Sequence, residues 1–223
     1  MAIALKRPVA SIVGVVFALG WPMLFLLIPS QRHQDLTNLP QDTVVIAAEW
    51  IAVVILACLV VFWERLALFA STGFRRLRRS DWIVVGVLVA LSIAATIFAA
   101  NPHAKLGTDL RAYAAIPFVF RLLLVLTAGI CEEFCFRGYA IERLIALTGR
   151  RWIAAVAAIA LFTLGHVGRY GFSQALIYVA IIAAVLTLLY LWRRNIWPCI
   201  ALHWFIDGVQ LVILASFAGH AAR

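Results

Sequence analysis

Charged residues are scarce in this chain: Asp, Glu, Lys and Arg make up 13% of its 223 residues, and only 10 residues are acidic. Hydrophobic residues make up 65%, whereas a soluble domain has about 45–50% apolar residues. So few polar side chains cannot cover a surface that faces water. The composition therefore excludes an ordinary soluble globule and a disordered chain, and it predicts an integral membrane protein.

Paired cysteines are also lacking, since none of the four cysteines belongs to a C-x-x-C motif. This excludes the usual disulfide framework and the zinc knuckle of small domains. The net charge of +9 is found in nucleic-acid-binding proteins too, but membrane proteins with several spans carry extra Lys and Arg on their cytoplasmic loops. Because the basic residues are spread along the chain, we expect no nucleic-acid partner.

Seven apolar runs are present, and most are long enough to cross a bilayer as helices, which takes about 20 residues. They cover residues 9–29, 44–63, 82–100, 117–136, 152–167, 174–192 and 196–218. We therefore expect an all-α, polytopic membrane protein of about seven transmembrane helices. Within this single integral unit, we expect residues 1–114 to form N-terminal helices and loops and residues 115–218 to form a helical core.

The basic residues predict an orientation, because Lys and Arg are enriched on the cytoplasmic side of a membrane. Most of them fall in inside segments when the N-terminus is cytoplasmic and the C-terminus is outside. The segment FRRLRRS at 74–80 is the firmest anchor for this orientation. We expect the bacterial cytoplasmic membrane as the location. An alternative role for 74–80 is a polybasic patch that binds anionic lipid.

Ionisable residues at membrane depth are costly, so they mark candidate functional sites. Three groups of them lie in the predicted spans: EEFCFR at 132–137, FTLGH at 162–166 and HWFID at 203–207. Glu133 and Arg137 are four residues apart, so they share a helical face and can form an ion pair. Glu132 points about 100° away from Glu133, which leaves its carboxylate free for chemistry.

The spacing of these groups predicts that they meet. Glu132 lies 17 residues before Gly149, and His166 lies 17 residues after it. A tight turn near Gly149 would place both at one level of an antiparallel hairpin, because each helix rises about 1.5 Å per residue. His203 and Asp207 share one face of the last span. They can reach the level of Glu132 and His166 only if the hairpin projects beyond the membrane. We expect a polar intramembrane cavity among these side chains.

A carboxylate and two histidines in a low-dielectric cavity can activate water and stabilise an oxyanion. This set is sufficient for amide hydrolysis, and no serine or cysteine is placed as an obvious nucleophile. Glu132, His166 and His203 could also bind zinc, with water as a fourth ligand. Because no H-E-x-x-H motif is present, we expect no metal and no other cofactor.

The order E-E-x-x-x-R, F-x-x-x-H and H-x-x-x-[N/D] resembles the CPBP family, the CAAX-protease and bacteriocin-processing membrane proteins. The first motif reads EEFCFRGYAIERL here, and the similarity covers about residues 115–212. The resemblance implies an intramembrane glutamic endopeptidase in which Glu132 activates water with help from His166. It places His203 on the oxyanion side.

The resemblance also implies that Glu133 and Arg137 support the site. Asp207 stands where asparagine is frequent. An ionised aspartate would repel an oxyanion, so we expect Asp207 to orient His203 through a ring N–H instead. The implied substrate is a membrane-associated peptide or protein, CAAX-like or carrying a C-terminal sorting or leader sequence, met in the lipid bilayer.

Two other functions stay open from the sequence. One is a non-catalytic membrane scaffold or bacteriocin-immunity-type protein, and the other is a small transporter, since buried Glu and His can relay protons. Outside the motifs, Glu49 and Arg121 lie at similar depth in their spans. We predict an ion pair between them, with snorkelling of Arg121 to the outer surface as the alternative.

Overall fold

The computed structural model describes residue 5 and residues 7–27, 39–99 and 113–220. Over these residues the chain is helical and contains no strand, which confirms the all-α prediction. Each of the seven apolar runs coincides with a helix over its described part. Two outer segments of the predicted topology, those around Arg32 and Lys105, lie outside the described residues.

The first half of the described chain supplies three long helices and one short one. They are α1 (Pro8–Gly20) with a 3-10 extension (Trp21–Leu27), α2 (Leu39–Cys58) with a π-helical extension (Leu59–Glu64), α3 (Leu68–Ser71) and α4 (Arg79–Ala99). Pro8 suits the first turn of α1, where its missing N–H would have no partner within the helix.

The second half contains the three groups of ionisable residues. Its helices are α5 (Phe118–Glu133) with a π-helical extension (Phe134–Ile141), α6 (Glu142–Thr148), α7 (Arg151–Gly165), α8 (Val167–Tyr170), α9 (Gln174–Arg193), α10 (Trp197–Asp207) with a π-helical extension (Gly208–Leu214) and α11 (Ala215–His220). α5, its extension and α6 run on without a break. They end at Gly149, whose φ of 69° is left-handed and therefore suits a residue without Cβ. The predicted turn at Gly149 is confirmed.

Three helices are long and apolar enough to cross a bilayer: Thr43–Glu64, Gln174–Arg193 and Trp197–Phe217. Pro8–Leu24 and Arg151–Gly165 are shorter apolar helices. These helices are the ones found among the described residues. The chain is thus an all-α membrane protein, and the number of seven spans remains a prediction.

The protein core is centred on the π-helical extension of α5, where every residue from Phe134 to Ile141 is buried. Close to it, α5 and α10 approach each other at Gly129. A Cβ built on Gly129 would lie 2.2 Å from the Trp204 ring, so only glycine leaves room for that ring. The Trp204 indole N–H donates to the Leu126 carbonyl at 3.2 Å. This packing fixes α10 against α5 one residue away from His203.

A buried ion pair joins the two halves of the chain. Arg143 on α6 binds Glu64 at the end of α2 with 2.6 Å between Nη2 and Oε2, and both side chains are almost fully buried. Glu64 also accepts hydrogen bonds from Ser11 at 2.7 Å and Tyr139 at 2.9 Å. Helices from before and after residue 114 therefore share one polar network within the core.

A second polar contact anchors α6 to the end of α9. Glu142 accepts a hydrogen bond from the Tyr190 hydroxyl at 2.5 Å and forms a 2.6 Å ion pair with Arg194. Arg143 lies next to Glu142, six residues before Gly149. The tip of the hairpin therefore extends about 9 Å past the level of these ion pairs, at 1.5 Å per residue. The sequence predicted that Glu132 on α5 and His203 on α10 can lie at one level only if the hairpin extends in this way.

Candidate active site

The adjacent acids Glu132 and Glu133 on α5 have different surroundings. Glu133 is fully buried, and its Oε1 lies 2.8 Å from Nη1 of Arg137, which confirms the predicted ion pair. Arg137 also donates to the Ala183 carbonyl at 3.3 Å, and its guanidinium lies 4.6 Å from the centre of the Phe162 ring. The charge of Glu133 is therefore neutralised within the core.

Three carboxylates surround the ring of His203 on α10. Its Nδ1 lies 2.9 Å from Oε1 of Glu133, and its Nε2 lies 3.5 Å from Oδ2 of Asp207 and 3.9 Å from Oε2 of Glu132. An ionised carboxylate only accepts hydrogen bonds, so Nδ1–H donates to Glu133. The Nε2 edge of the ring then faces the other two acids.

Glu132 differs from its neighbour because it forms no ion pair with an arginine among the described residues, although Oε2 of each acid is without a hydrogen-bond partner there. Its Oε2 is buried and accepts no hydrogen bond from any described residue. The side chain as a whole is 16% exposed, and that of Asp207 is 31% exposed. A buried polar atom without a partner is unfavourable and is unusual in native structures. Glu132 is thus the free carboxylate of the cluster, at its more open side.

His166 lies at the end of α7 and approaches the cluster across Phe162. Its Nδ1 is 2.8 Å from the Phe162 carbonyl. A carbonyl oxygen only accepts, so Nδ1 carries the hydrogen and Nε2 of the neutral ring is left as an acceptor. The Phe162 ring stacks on His166 at 4.7 Å and lies 6.4 Å from the His203 ring. The His166 ring and the Glu132 carboxyl are near neighbours.

The structure thus brings together the residues that the spacing selected. Glu132, Glu133, His203 and Asp207 form one cluster, and His166 adjoins it through Phe162. The contact between Glu133 and His203 was not predicted. It joins residues 70 positions apart, and no periodicity within one helix could reveal it. Glu133 therefore holds both an arginine and a histidine.

The surroundings of Asp207 bear on its predicted role. Its contact with Nε2 of His203 is longer than the contact of Glu133 with Nδ1, 3.5 Å against 2.9 Å. Glu133 is therefore the firmer anchor of the ring. The orienting role expected for Asp207 stays a prediction.

Glu49 on α2 is a further acid near this cluster. The predicted ion pair with Arg121 is wrong: among the described residues, Arg121 donates instead to the Leu211 carbonyl at 3.0 Å and to the Ser216 hydroxyl at 3.3 Å. Glu49 is buried, and its Oε2 has no hydrogen-bond partner in the described chain. Its carboxyl lies near those of Glu132 and Asp207, so an ionised Glu49 would be repelled by them. The sequence shows that Glu49 is an acid at membrane depth, but it does not show which neighbouring helix its side chain faces.

The described part of the chain could bind a metal ion only where several His, Cys, Asp or Glu side chains are grouped together. No group of three or more His, Cys, Asp or Glu side chains in it is arranged to hold a metal ion. Glu132, His166 and His203, the ligands considered from the sequence, form no such group there.

Both helices that carry the acids widen directly after them. The π-helical extension of α5 begins after Glu133, and that of α10 begins after Asp207. Short π-helical segments are frequent at functional sites. These π-helical segments could not be predicted from the sequence, because they depend on which carbonyl each backbone N–H forms its hydrogen bond with.

Comparison with known proteins supports this assignment for part of the chain. No curated protein and no solved structure matches it significantly. A family model described as type II CAAX prenyl endopeptidase Rce1-like matches residues 114–209, a segment that contains all six predicted site residues. Residues 114–209 are therefore an Rce1-like domain of the CPBP family, a family of intramembrane endopeptidases.

Proposed function

We propose that the protein hydrolyses a peptide bond of a membrane-associated peptide, using water activated by Glu132 and His166. The observation that supports this most is that Glu132 lies beside His203 without an arginine partner among the described residues, whereas the adjacent Glu133 is neutralised by Arg137. A site built only to hold helices together would pair both acids.

The first step is the activation of water. A water molecule hydrogen-bonded to Glu132 loses a proton to the carboxylate as its oxygen attacks the scissile carbonyl carbon. Nε2 of His166 is an acceptor because Nδ1–H is held by the Phe162 carbonyl. This fixed ring can therefore receive the second hydrogen bond of the same water and orient it.

The second step is the stabilisation of the oxyanion and the release of the amine. With Nδ1–H donating to Glu133, His203 can donate from Nε2 when its ring is protonated, and Glu133 and Asp207 supply the opposite charge. A donor preorganised in a water-poor site stabilises the oxyanion strongly. The proton held by Glu132 then passes to the leaving nitrogen, which breaks the C–N bond and regenerates the carboxylate.

We further propose that residues 115–218 form the catalytic core and that residues 1–114 close it from the other side. The substrate reaches Glu132 from the side on which Asp207 is partly exposed. In this proposal the protein lies in a bacterial cytoplasmic membrane with its N-terminus in the cytoplasm. The substrate is a CAAX-like peptide or a peptide with a C-terminal sorting or leader sequence.

The proposal is tested with the full-length protein in proteoliposomes. A farnesylated CAAX-type peptide and an unlipidated membrane peptide are incubated with the wild type, and cleavage products are identified by mass spectrometry. We expect Glu132→Gln to lower the rate by about 10²–10⁴-fold, as for other lost general bases. Cys135→Ala is the matched control on the same helix, and it should cleave as the wild type does.

Three outcomes would contradict the proposal. Wild-type rates in Glu132→Gln would exclude Glu132 as the base, and loss of cleavage in Cys135→Ala would indicate a thiol nucleophile. If the wild type cleaves neither peptide, the result would favour a non-catalytic membrane scaffold. A metal chelator is added in a parallel reaction, and we expect the rate to stay unchanged, since we propose no metal in the mechanism.

A further inference from the structure

One end of the helix bundle is marked by exposed tryptophans. Five of the eight tryptophans of the chain are exposed at helix ends that the antiparallel connections bring to one side. They are Trp63 at the end of α2, Trp82 at the start of α4, Trp152 at the start of α7, Trp192 at the end of α9 and Trp197 at the start of α10. Tryptophan is enriched at the membrane–water interface, so this end lies at the level of the lipid headgroups.

A basic cavity opens at this same end, between the segment that precedes α4 and the turn from α9 to α10. Its volume is about 190 Å³, which is below the roughly 300–1,000 Å³ of sites for drug-sized ligands. The cavity is lined by Arg75, Arg76, Arg78, Asp81, Arg193 and Asn195. Its size suits a phosphate group rather than a whole metabolite.

The walls of this cavity are held in place by hydrogen bonds. The backbone N–H of Arg78 donates to Asp81 at 2.7 Å, and the Asn195 amide donates to the Arg76 carbonyl at 3.5 Å. The backbone N–H of Ile196 donates to the Gly73 carbonyl at 3.0 Å. The segment before α4 is therefore fixed against the α9–α10 turn.

The cavity has an excess of positive charge. Its single acid, Asp81, is neutralised by Arg193, with 2.6 Å between Nη2 and Oδ1. Arg75, Arg76 and Arg78 form no ion pair with any described residue, although they line the same space. Guanidinium groups bind phosphate in bidentate geometry. Three free guanidinium groups around a small space therefore favour an anionic ligand.

We propose that this cavity binds the phosphate of an anionic phospholipid, with Arg75, Arg76 and Arg78 as its donors. The exposed tryptophans place the arginines at headgroup depth, and the exposed Leu77 and Trp82 are next to lining residues in the sequence. Basic pockets between transmembrane helices bind anionic headgroups in this way. A soluble phosphate would gain the same ionic contacts, but none of these apolar ones.

The test measures lipid binding by the full-length protein and needs no substrate. The protein in phosphatidylcholine nanodiscs is titrated with phosphatidylglycerol, and retained lipid is quantified by native mass spectrometry. Arg75→Gln/Arg76→Gln removes two donors, and we expect phosphatidylglycerol binding about tenfold or more weaker, because hydrogen bonds to a charged phosphate are stronger than those between neutral groups. Arg150→Gln/Arg151→Gln is the matched control: it removes the same charge at the same end, outside the cavity, and should bind as the wild type does.

Thermal unfolding in detergent checks that both variants are folded. Equal weakening in the two variants would indicate diffuse surface charge and overturn the proposal. Equal retention of phosphatidylcholine and phosphatidylglycerol by the wild type would overturn it as well. In a third arm, inorganic phosphate is added, and displacement of phosphatidylglycerol at matched concentration would assign the cavity to a soluble anion instead of a lipid.

Discussion

Replacing each of the two adjacent glutamates by glutamine should have opposite effects on stability. In Glu133→Gln, Arg137 keeps its charge in a fully buried position and loses its ion-pair partner. Removing one partner of a buried pair costs about 3–5 kcal/mol. A chain of this size shifts its melting temperature by about 2–4 °C per kcal/mol, so we expect a decrease of roughly 6–20 °C.

Glu132→Gln should instead leave the melting temperature unchanged or raise it. The free Oε2 of Glu132 accepts no hydrogen bond from a described residue, so the substitution removes a poorly solvated charge and no firm contact. Its effect should appear in catalysis alone. Residues kept for catalysis at the expense of stability show this behaviour when they are replaced.

The assay is thermal unfolding in detergent, followed by tryptophan fluorescence. A double variant, Glu133→Gln with Arg137→Met, supplies the control. Removing a whole buried pair is often close to neutral, so the double variant should recover part of the loss seen in Glu133→Gln. The reasoning is refuted if Glu132→Gln unfolds as early as Glu133→Gln, or if the double variant is less stable than Glu133→Gln alone.

Three further predictions concern residues around the site and the core. Asp207→Asn should lower the cleavage rate about 10–100-fold if its charge orients His203, and an unchanged or higher rate in the proteoliposome assay would exclude a required charge. Glu64→Leu leaves Arg143 buried without its counter-charge and should destabilise the protein by about 3–5 kcal/mol in urea unfolding, whereas a loss below about 1 kcal/mol would contradict the network described above. Gly129→Val places a side chain 2.2 Å or less from the Trp204 ring, so we expect about 1–3 kcal/mol of destabilisation. We also expect slower cleavage, because His203 adjoins Trp204. Normal melting and normal cleavage would show that α10 does not need this close contact.

Much of the site could be predicted because its signals lie within single helices. The i, i+4 spacing predicts the Glu133–Arg137 ion pair, and the equal distances of Glu132 and His166 from Gly149 depend only on the rise of a helix. Charged residues in an apolar run are also visible without coordinates. Such local rules reach across one turn or one hairpin.

What could not be predicted depends on contacts between distant segments. Glu133 meets His203 across 70 residues, and the rotation of α2 that turns Glu49 away from Arg121 is set by packing of whole helices. The turn at Gly149 was predicted, but the sequence does not show what stabilises the helix up to Thr148, beyond the apolar run that ends at 136. The helix continues there because Glu142 and Arg143 find partners on α2 and α9 inside the protein.

The partners of Arg143 limit how independent the Rce1-like domain can be. Glu64 and Ser71, which bind its guanidinium, both precede residue 114, whereas Tyr139, whose ring lies 4.4 Å from it, is inside the domain. In a protein fragment that contains only the domain, Arg143 would be buried without its ion-pair partner Glu64. A protein that carries this domain must therefore supply a counter-charge for Arg143, as the helical segment that ends in Glu64 does here.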